Sequence, residues 1–181
     1  MKKNNRRKQS SQRKTGSKSS FFDFLSRGTQ ALQNGDIAQA MSLLERAHQL
    51  DPHNPDAALN LSGVYILAKK FARAVAILES LSERDPNNPM VWTNLGAAYL
   101  GNPILAGDEK QQRAIAAFEQ ALDINPATPN VAYNLGLIYL DRQEPERAMH
   151  WFRQAVQTNP YDRDAVNYIR QLSSDGTEDG S

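Results

Sequence analysis

Cysteine is absent from the chain. That excludes disulfides, thiolate metal sites and a cysteine nucleophile, and it fits a reducing compartment. Histidine is scarce: His48, His53 and His150 are scattered, with no two at a metal-ligand spacing and no acidic partner at a motif distance. The glycines of "GNPILAG" at 101–107 lack the spacing and the strand-before-helix context of a phosphate loop, so the segment reads as an enlarged turn. No apolar run reaches the roughly 18 residues of a membrane span, and residues 1–20 lack the apolar stretch of a secretory leader. These absences predict a cytoplasmic chain with no transmembrane segment, no catalytic residues, no metal and no cofactor, that is, not an enzyme.

Acidic residues are missing from one end only. Residues 1–20 carry Lys2, Lys3, Arg6, Arg7, Lys8, Arg13, Lys14 and Lys18, a charge of +8, which leaves −7 for the rest of a chain whose net charge is +1. A segment so poor in apolar side chains cannot offset its chain entropy by burial, so residues 1–20 are expected to form a disordered basic tail. Residues 173–181, "SSDGTEDGS", are expected to form a disordered acidic one. The basic tail suits solubilisation, weak phosphate-mediated contact with nucleic acid or ribosome, an anionic membrane surface, or nuclear import. No aromatic interleaves it, so base stacking is not supported.

Between the tails one pattern recurs. "AALNLSGVYI" begins at Ala57, "VWTNLGAAYL" at Val91 and "VAYNLGLIYL" at Val131. Within the second copy Trp92, Leu95, Gly96 and Tyr99 share one helix face, and Ala114, Phe118 and Ala121 share a face of a following helix that Pro126 stops. The same pair of helices is spelled by Phe24, Gly28 and Ala31 with Ala40, Leu44 and Ala47. It is spelled again by Ala58, Leu61, Ser62 and Tyr65 with Ala74, Leu78 and Leu81. The last copy is Ala132, Leu135, Gly136 and Tyr139 with Ala148, Phe152 and Ala155. The stop prolines at 52, 86, 126 and 160 are separated by 34, 40 and 34 residues, a period with one six-residue insertion between Tyr99 and Ala114. Ile104 and Leu105 in that insertion either pack back onto neighbouring helices or form a partner-contacting finger.

Small residues at 28, 62, 96 and 136, with alanines at 40, 74, 114 and 148, allow close approach of the two helices of each pair. One hairpin cannot bury its apolar face alone, so each must stack on the next. Asp36 is expected as an N-cap and Pro145 in a first helical turn. Residues 163–172 read as a capping helix, with Val166, Ile169 and Leu172 on the repeats and Asp164, Asn167 and Arg170 in water.

These residues resemble the tetratricopeptide repeat (TPR) family. The third repeat matches its pattern at Trp92, Leu95, Gly96, Tyr99, Ala114, Phe118 and Pro126. The first departs from it, with Arg27 and Ala31 at the Leu and Tyr places. The resemblance implies an all-α, right-handed α-solenoid of four TPR helix hairpins (21–54, 55–88, 89–128, 129–162) plus a C-terminal capping helix, in a domain spanning 21–172. Trp92 is expected as a central core aromatic.

Opposite each core stripe lies a second face: Asp56, Leu59, Asn60, Gly63 and Leu67; Met90, Thr93, Asn94, Ala97 and Gly101; Asn130, Tyr133, Asn134, Leu137 and Asp141. An ordinary solvent face would carry Lys and Glu there. In the TPR family the first helices line a concave groove, so the resemblance places these residues in it. The repeated Asn60, Asn94 and Asn134 look like the asparagine ladders of TPR superhelices, since an amide both donates to and accepts from a peptide backbone whatever its sequence. Ser26 stands at that place in repeat 1. Some TPR domains grip a partner's terminal carboxylate with Lys and Arg on the groove helices. The equivalent face here has none, and Asp56, Asp141 and Asp164 add negative charge. The expected function is a protein-interaction scaffold holding an extended, neutral or mildly basic peptide. The alternative is an adaptor recruited to nucleic acid, ribosome or an anionic surface by its basic tail.

Overall fold

The computed structural model describes residues 20–101 and 106–178, with side-chain surroundings given through Ser174. Residues 1–19, which hold all but the last residue of the expected basic tail, lie outside that description, as do Ile104 and Leu105 of the insertion. The described residues are all-α. Helix α1 covers 20–33, followed by α2 (Ile37–Leu50), α3 (Pro55–Leu67), α4 (Phe71–Arg84), α5 (Pro89–Leu100), α6 (Asp108–Ile124), α7 (Val131–Asp141), α8 (Pro145–Thr158) and α9 (Arg163–Glu178). They pair in order as the hairpins expected from the sequence, with α9 after the last.

Local chemistry sets the helix ends. Asp36 caps α2 by accepting from the Gln39 amide, as expected, and Asn54 and Asn88 cap α3 and α5 ahead of Pro55 and Pro89. Asp162 does the same for α9 through the Ala165 amide, at 3.0 Å. At the other ends Asp51, Asn125 and Asn159 side chains accept from the backbone two residues on, closing Asx turns over Pro52, Pro126 and Pro160.

The chain forms two compact units, Met1–Leu81 and Ser82–Ser181. In the first, Gly28 of α1 lies so near α2 that a Cβ would meet Leu44 Cγ at 2.7 Å. Phe21, Ala47 and Ala57 close a small cluster at its start. Repeat 1 therefore packs despite its departures from the pattern. In the second unit Phe118 and Phe152 are fully buried, and each ring occupies the space a side chain at Gly96 or Gly136 would need. Trp92 is only half-buried at the edge of this core, with its indole N–H donating to the Pro86 carbonyl at 2.7 Å. The expectation of a central core aromatic is thereby corrected: phenylalanines of the second helices fill the middle.

Two further differences have local causes. Helix α6 starts six residues before Ala114, whereas α2, α4 and α8 start three before Ala40, Ala74 and Ala148, so part of the insertion extends a helix instead of a loop. Asp108 and Glu109 favour that start, being acids in a first helical turn. Helix α9 continues to Glu178, beyond the expected end at 172, so residues 173–178 are helical where an unstructured tail is expected. Ser173 and Ser174 hydroxyls donate back to the Ile169 and Gln171 carbonyls in this extension. Ala165 is buried, and Tyr168, Ile169 and Leu172 pack on the core of the second unit while Asp164, Asn167 and Arg170 face water, the arrangement of a cap.

Candidate functional site

The three asparagines do not have the same surroundings. In the first unit the Asn60 amide nitrogen donates to Thr29 Oγ1 at 3.0 Å, and that hydroxyl donates to the Leu25 carbonyl at 2.9 Å. Asn60 thus links α3 to α1. In the second unit Asn94 and Asn134 are half-buried, and their side chains make no hydrogen bond among the described residues.

Their neighbours divide similarly. Asp56, Met90 and Asn130 are exposed, and Leu59, Tyr133 and Leu137 are half-buried. Thr93 is buried, and its hydroxyl is turned onto the Pro89 carbonyl of its own helix at 2.8 Å. Asn130 has φ +64 just before α7, a left-handed conformation that asparagine tolerates, and makes no side-chain cap bond. Asp141 accepts from the Gln111 side-chain amide at 2.6 Å, tying α7 to a Gln111 that is 2% exposed. Its charge is thus already engaged.

Tyr133 belongs to a ring cluster. Its centroid lies 5.9 Å from that of Phe152 and 6.4 Å from that of Tyr168, and Tyr168 stacks on Phe152 at 4.7 Å with an interplanar angle of 8°. Burial raises the Tyr133 hydroxyl pKa, and the neighbouring Tyr168, Asp164 and Asp162 push it the same way. An open pocket of about 370 Å³ lies against this cluster between α7 and α9, lined by Tyr133, Asp164, Asn167, Tyr168 and Gln171.

The recurring Tyr has a different task. Arg73 sits over Tyr65 at 4.3 Å, Arg113 over Tyr99 at 4.0 Å and Arg147 over Tyr139 at 3.9 Å, so each clasp joins the two helices of its hairpin. An arginine immediately before Ala74, Ala114 and Ala148 is the sequence signal for it. Tyr65 also donates to Glu45 at 2.8 Å, and burial followed by that bond raises its hydroxyl pKa to about 12. Among the described residues no group of three or more His, Asp or Glu side chains is placed to hold a metal ion, and no helix is long and apolar enough to cross a membrane.

Models of the tetratricopeptide repeat match residues 31–98 and 104–163. No curated protein is a sequence match. Among solved structures, the chain is similar to TTC0263, a thermophilic TPR protein of Thermus thermophilus (TM-score 0.72, 21% identity, 84% of this chain and 80% of that one). It is also similar to PilF of Pseudomonas aeruginosa (0.74, 22%, 90% and 72%). MamA of Desulfovibrio magneticus is a further likeness (0.65, 21%, 77% and 76%). At these identities the likeness is one of fold. The repeat models cover most of the chain, and their matches fall on the hairpins described above: the protein belongs to the tetratricopeptide repeat family.

Proposed function

We propose that this chain is a non-catalytic interaction module whose first-helix faces hold an extended segment of a partner protein. The fold supports an interaction role in general. The observation that carries the specific reading is the pair Asn94 and Asn134: repeat-equivalent amides on α5 and α7, half-buried and without a hydrogen bond among the described residues. An amide left so can serve a peptide backbone, and Met90, Leu137 and Tyr133 beside them supply apolar area. Asn60 is a poorer member of the set, because its nitrogen is already committed to Thr29.

Those faces carry no basic residue, so a partner's terminal carboxylate would be desolvated without a cation. A neutral or mildly basic segment is preferred over an acidic one. Titration calorimetry against peptide panels tests this. Replacing Asn94 and Asn134 together by Ala should weaken the selected peptide by about 1–3 kcal/mol while leaving the melting temperature nearly unchanged. Unchanged affinity in that variant, or preference for acidic termini, removes the reading. Capture that disappears on deleting residues 1–20 and on nuclease treatment would instead assign recruitment to the basic tail.

A further inference from the structure

Helix α9 follows the hairpin of α7 and α8. Its positions 164, 167, 168 and 171 are spaced 3, 1 and 3 apart, one helix face. The adjoining face, with Ala165, Ile169 and Leu172, packs on the core, and Tyr168 lies at the border between the two. The first face reads Asp, Asn, Tyr, Gln, and it meets Tyr133 of α7 across the open pocket of about 370 Å³.

The walls have one chemical character. The Tyr133 and Tyr168 rings stand with centroids 6.4 Å apart and planes at 52°, propped by the fully buried Phe152 behind them. Neither hydroxyl makes a hydrogen bond among the described residues. Asp164 is exposed at the rim and forms no ion pair among them. Asn167 uses its carbonyl oxygen for the Arg170 guanidinium at 3.3 Å, and Gln171 makes no side-chain hydrogen bond among the described residues. Two tyrosine side chains and a carboxylate border this one mostly polar space, a composition that suits a cation. Burial, then Tyr168, Asp164 and Asp162, raise the Tyr133 hydroxyl pKa, in keeping with acidic neighbours at this pocket.

We propose that the pocket of Tyr133, Tyr168 and Asp164 receives a lysine or arginine side chain of the bound segment, and so sets both its direction and its register. This rests on the reading of the first-helix faces as a peptide site and adds the residue that one end of the peptide must carry. A backbone-binding amide pair is indifferent to sequence, so a single charged anchor beyond it supplies discrimination that the amides cannot. The apolar stem of Lys or Arg suits the rings while the head meets Asp164.

The pocket can be tested apart from the peptide. Butylammonium and methylguanidinium are titrated into the full-length isotope-labelled protein and followed by amide NMR, with butanol as the neutral control. Saturable shifts confined to α7 and α9 around Tyr133, Asp164, Asn167 and Tyr168, seen with the cations and not with butanol, are the expected result. Asp164→Asn and Tyr168→Leu should each weaken the cation by about 2- to 5-fold, and Tyr168→Phe, which keeps the ring, should leave it unchanged. Tyr168→Leu also alters packing on Phe152, but Asp164 is exposed, so Asp164→Asn removes the charge without repacking the core. Equal response to butanol and butylammonium, or full binding by Asp164→Asn, overturns the proposal. N-acetylated peptides with one Lys, Arg, norleucine or Glu at successive positions form the second arm. A preference of about tenfold for Lys or Arg over norleucine at one terminal position is expected, and it should fall to about 2- to 5-fold in Asp164→Asn. Peptide binding without such a preference refutes the anchor and spares the groove, whereas cation binding with no peptide binding refutes the groove and spares the pocket.

Discussion

Asn60 donates its amide to the Thr29 hydroxyl at 3.0 Å, so the same residue type at equivalent positions of successive repeats serves structure in one and stands available in the others. Replacing Asn60 by Ala should lower stability by about 1 kcal/mol, and Thr29→Val should cost a similar amount. The two changes combined should cost less than their sum, since either one removes the shared bond. Chemical denaturation of the four proteins measures this coupling. Additive losses would mean that the contact contributes nothing.

Gly96 faces Phe118 at a distance where an added Cβ would stand 2.6 Å from ring carbon Cε1, and Gly136 has the same relation to Phe152. Both rings are fully buried and have nowhere to retreat. Gly96→Ala should destabilise by about 1–3 kcal/mol although Ala is the better helix former. Adding Phe118→Leu should restore part of the loss. Thermal melts of the single and double variants decide the matter, and a stabilised Gly96→Ala protein would contradict the packing described.

Phe118→Ala should cost about 3–5 kcal/mol by emptying the middle of the second unit. Trp92→Ala should cost less, about 1–3 kcal/mol, because the indole is half-buried and its loss forfeits one hydrogen bond. Equilibrium unfolding in urea gives the order directly. A Trp92 variant less stable than the Phe118 variant would restore the tryptophan to the centre of the core.

Tyr65 has its hydroxyl pKa raised from 10.0 to about 12 by burial and by its bond to Glu45. The folded state thus holds its proton more tightly than the unfolded one. That contribution is complete below pH 10 and is lost as pH rises from about 10 to about 12. Stability should decline over this window in the wild type and more shallowly in Tyr65→Phe. Denaturation midpoints taken from pH 9 to 12 test the difference, and parallel declines would mean that Tyr65 is not the group responsible.

The periodic features were legible because local chemistry writes them once per repeat. The stop prolines, the Asp36 cap, the small residue of each first helix and its bulky counterpart in the second all follow from backbone limits and helical spacing. The arginine clasps are equally periodic, but the arginine before Ala74, Ala114 and Ala148 acquires its meaning only from the tyrosine across the hairpin. The size of Trp92 argues for the core, but its N–H needs a partner and finds one at the edge, on Pro86. The length of α9 is not legible in the sequence, because residues 173–178 are polar and include Gly176, a weak helix former.

What the sequence determined by itself was the family, the hairpin order and the face on which the asparagines lie, because those depend on spacing along one helix. Only tertiary structure decided which amide was spent: Thr29 and Asn60 are 31 residues apart and meet because α1 and α3 pack together. Likewise Gln111 reaches Asp141 over 30 residues, and Tyr133 on α7 meets Tyr168 on α9, a helix outside the hairpins. A repeat pattern states which residues are equivalent, but each residue's partners come from its neighbours in space. At the last repeat those neighbours belong to a helix that the pattern does not contain.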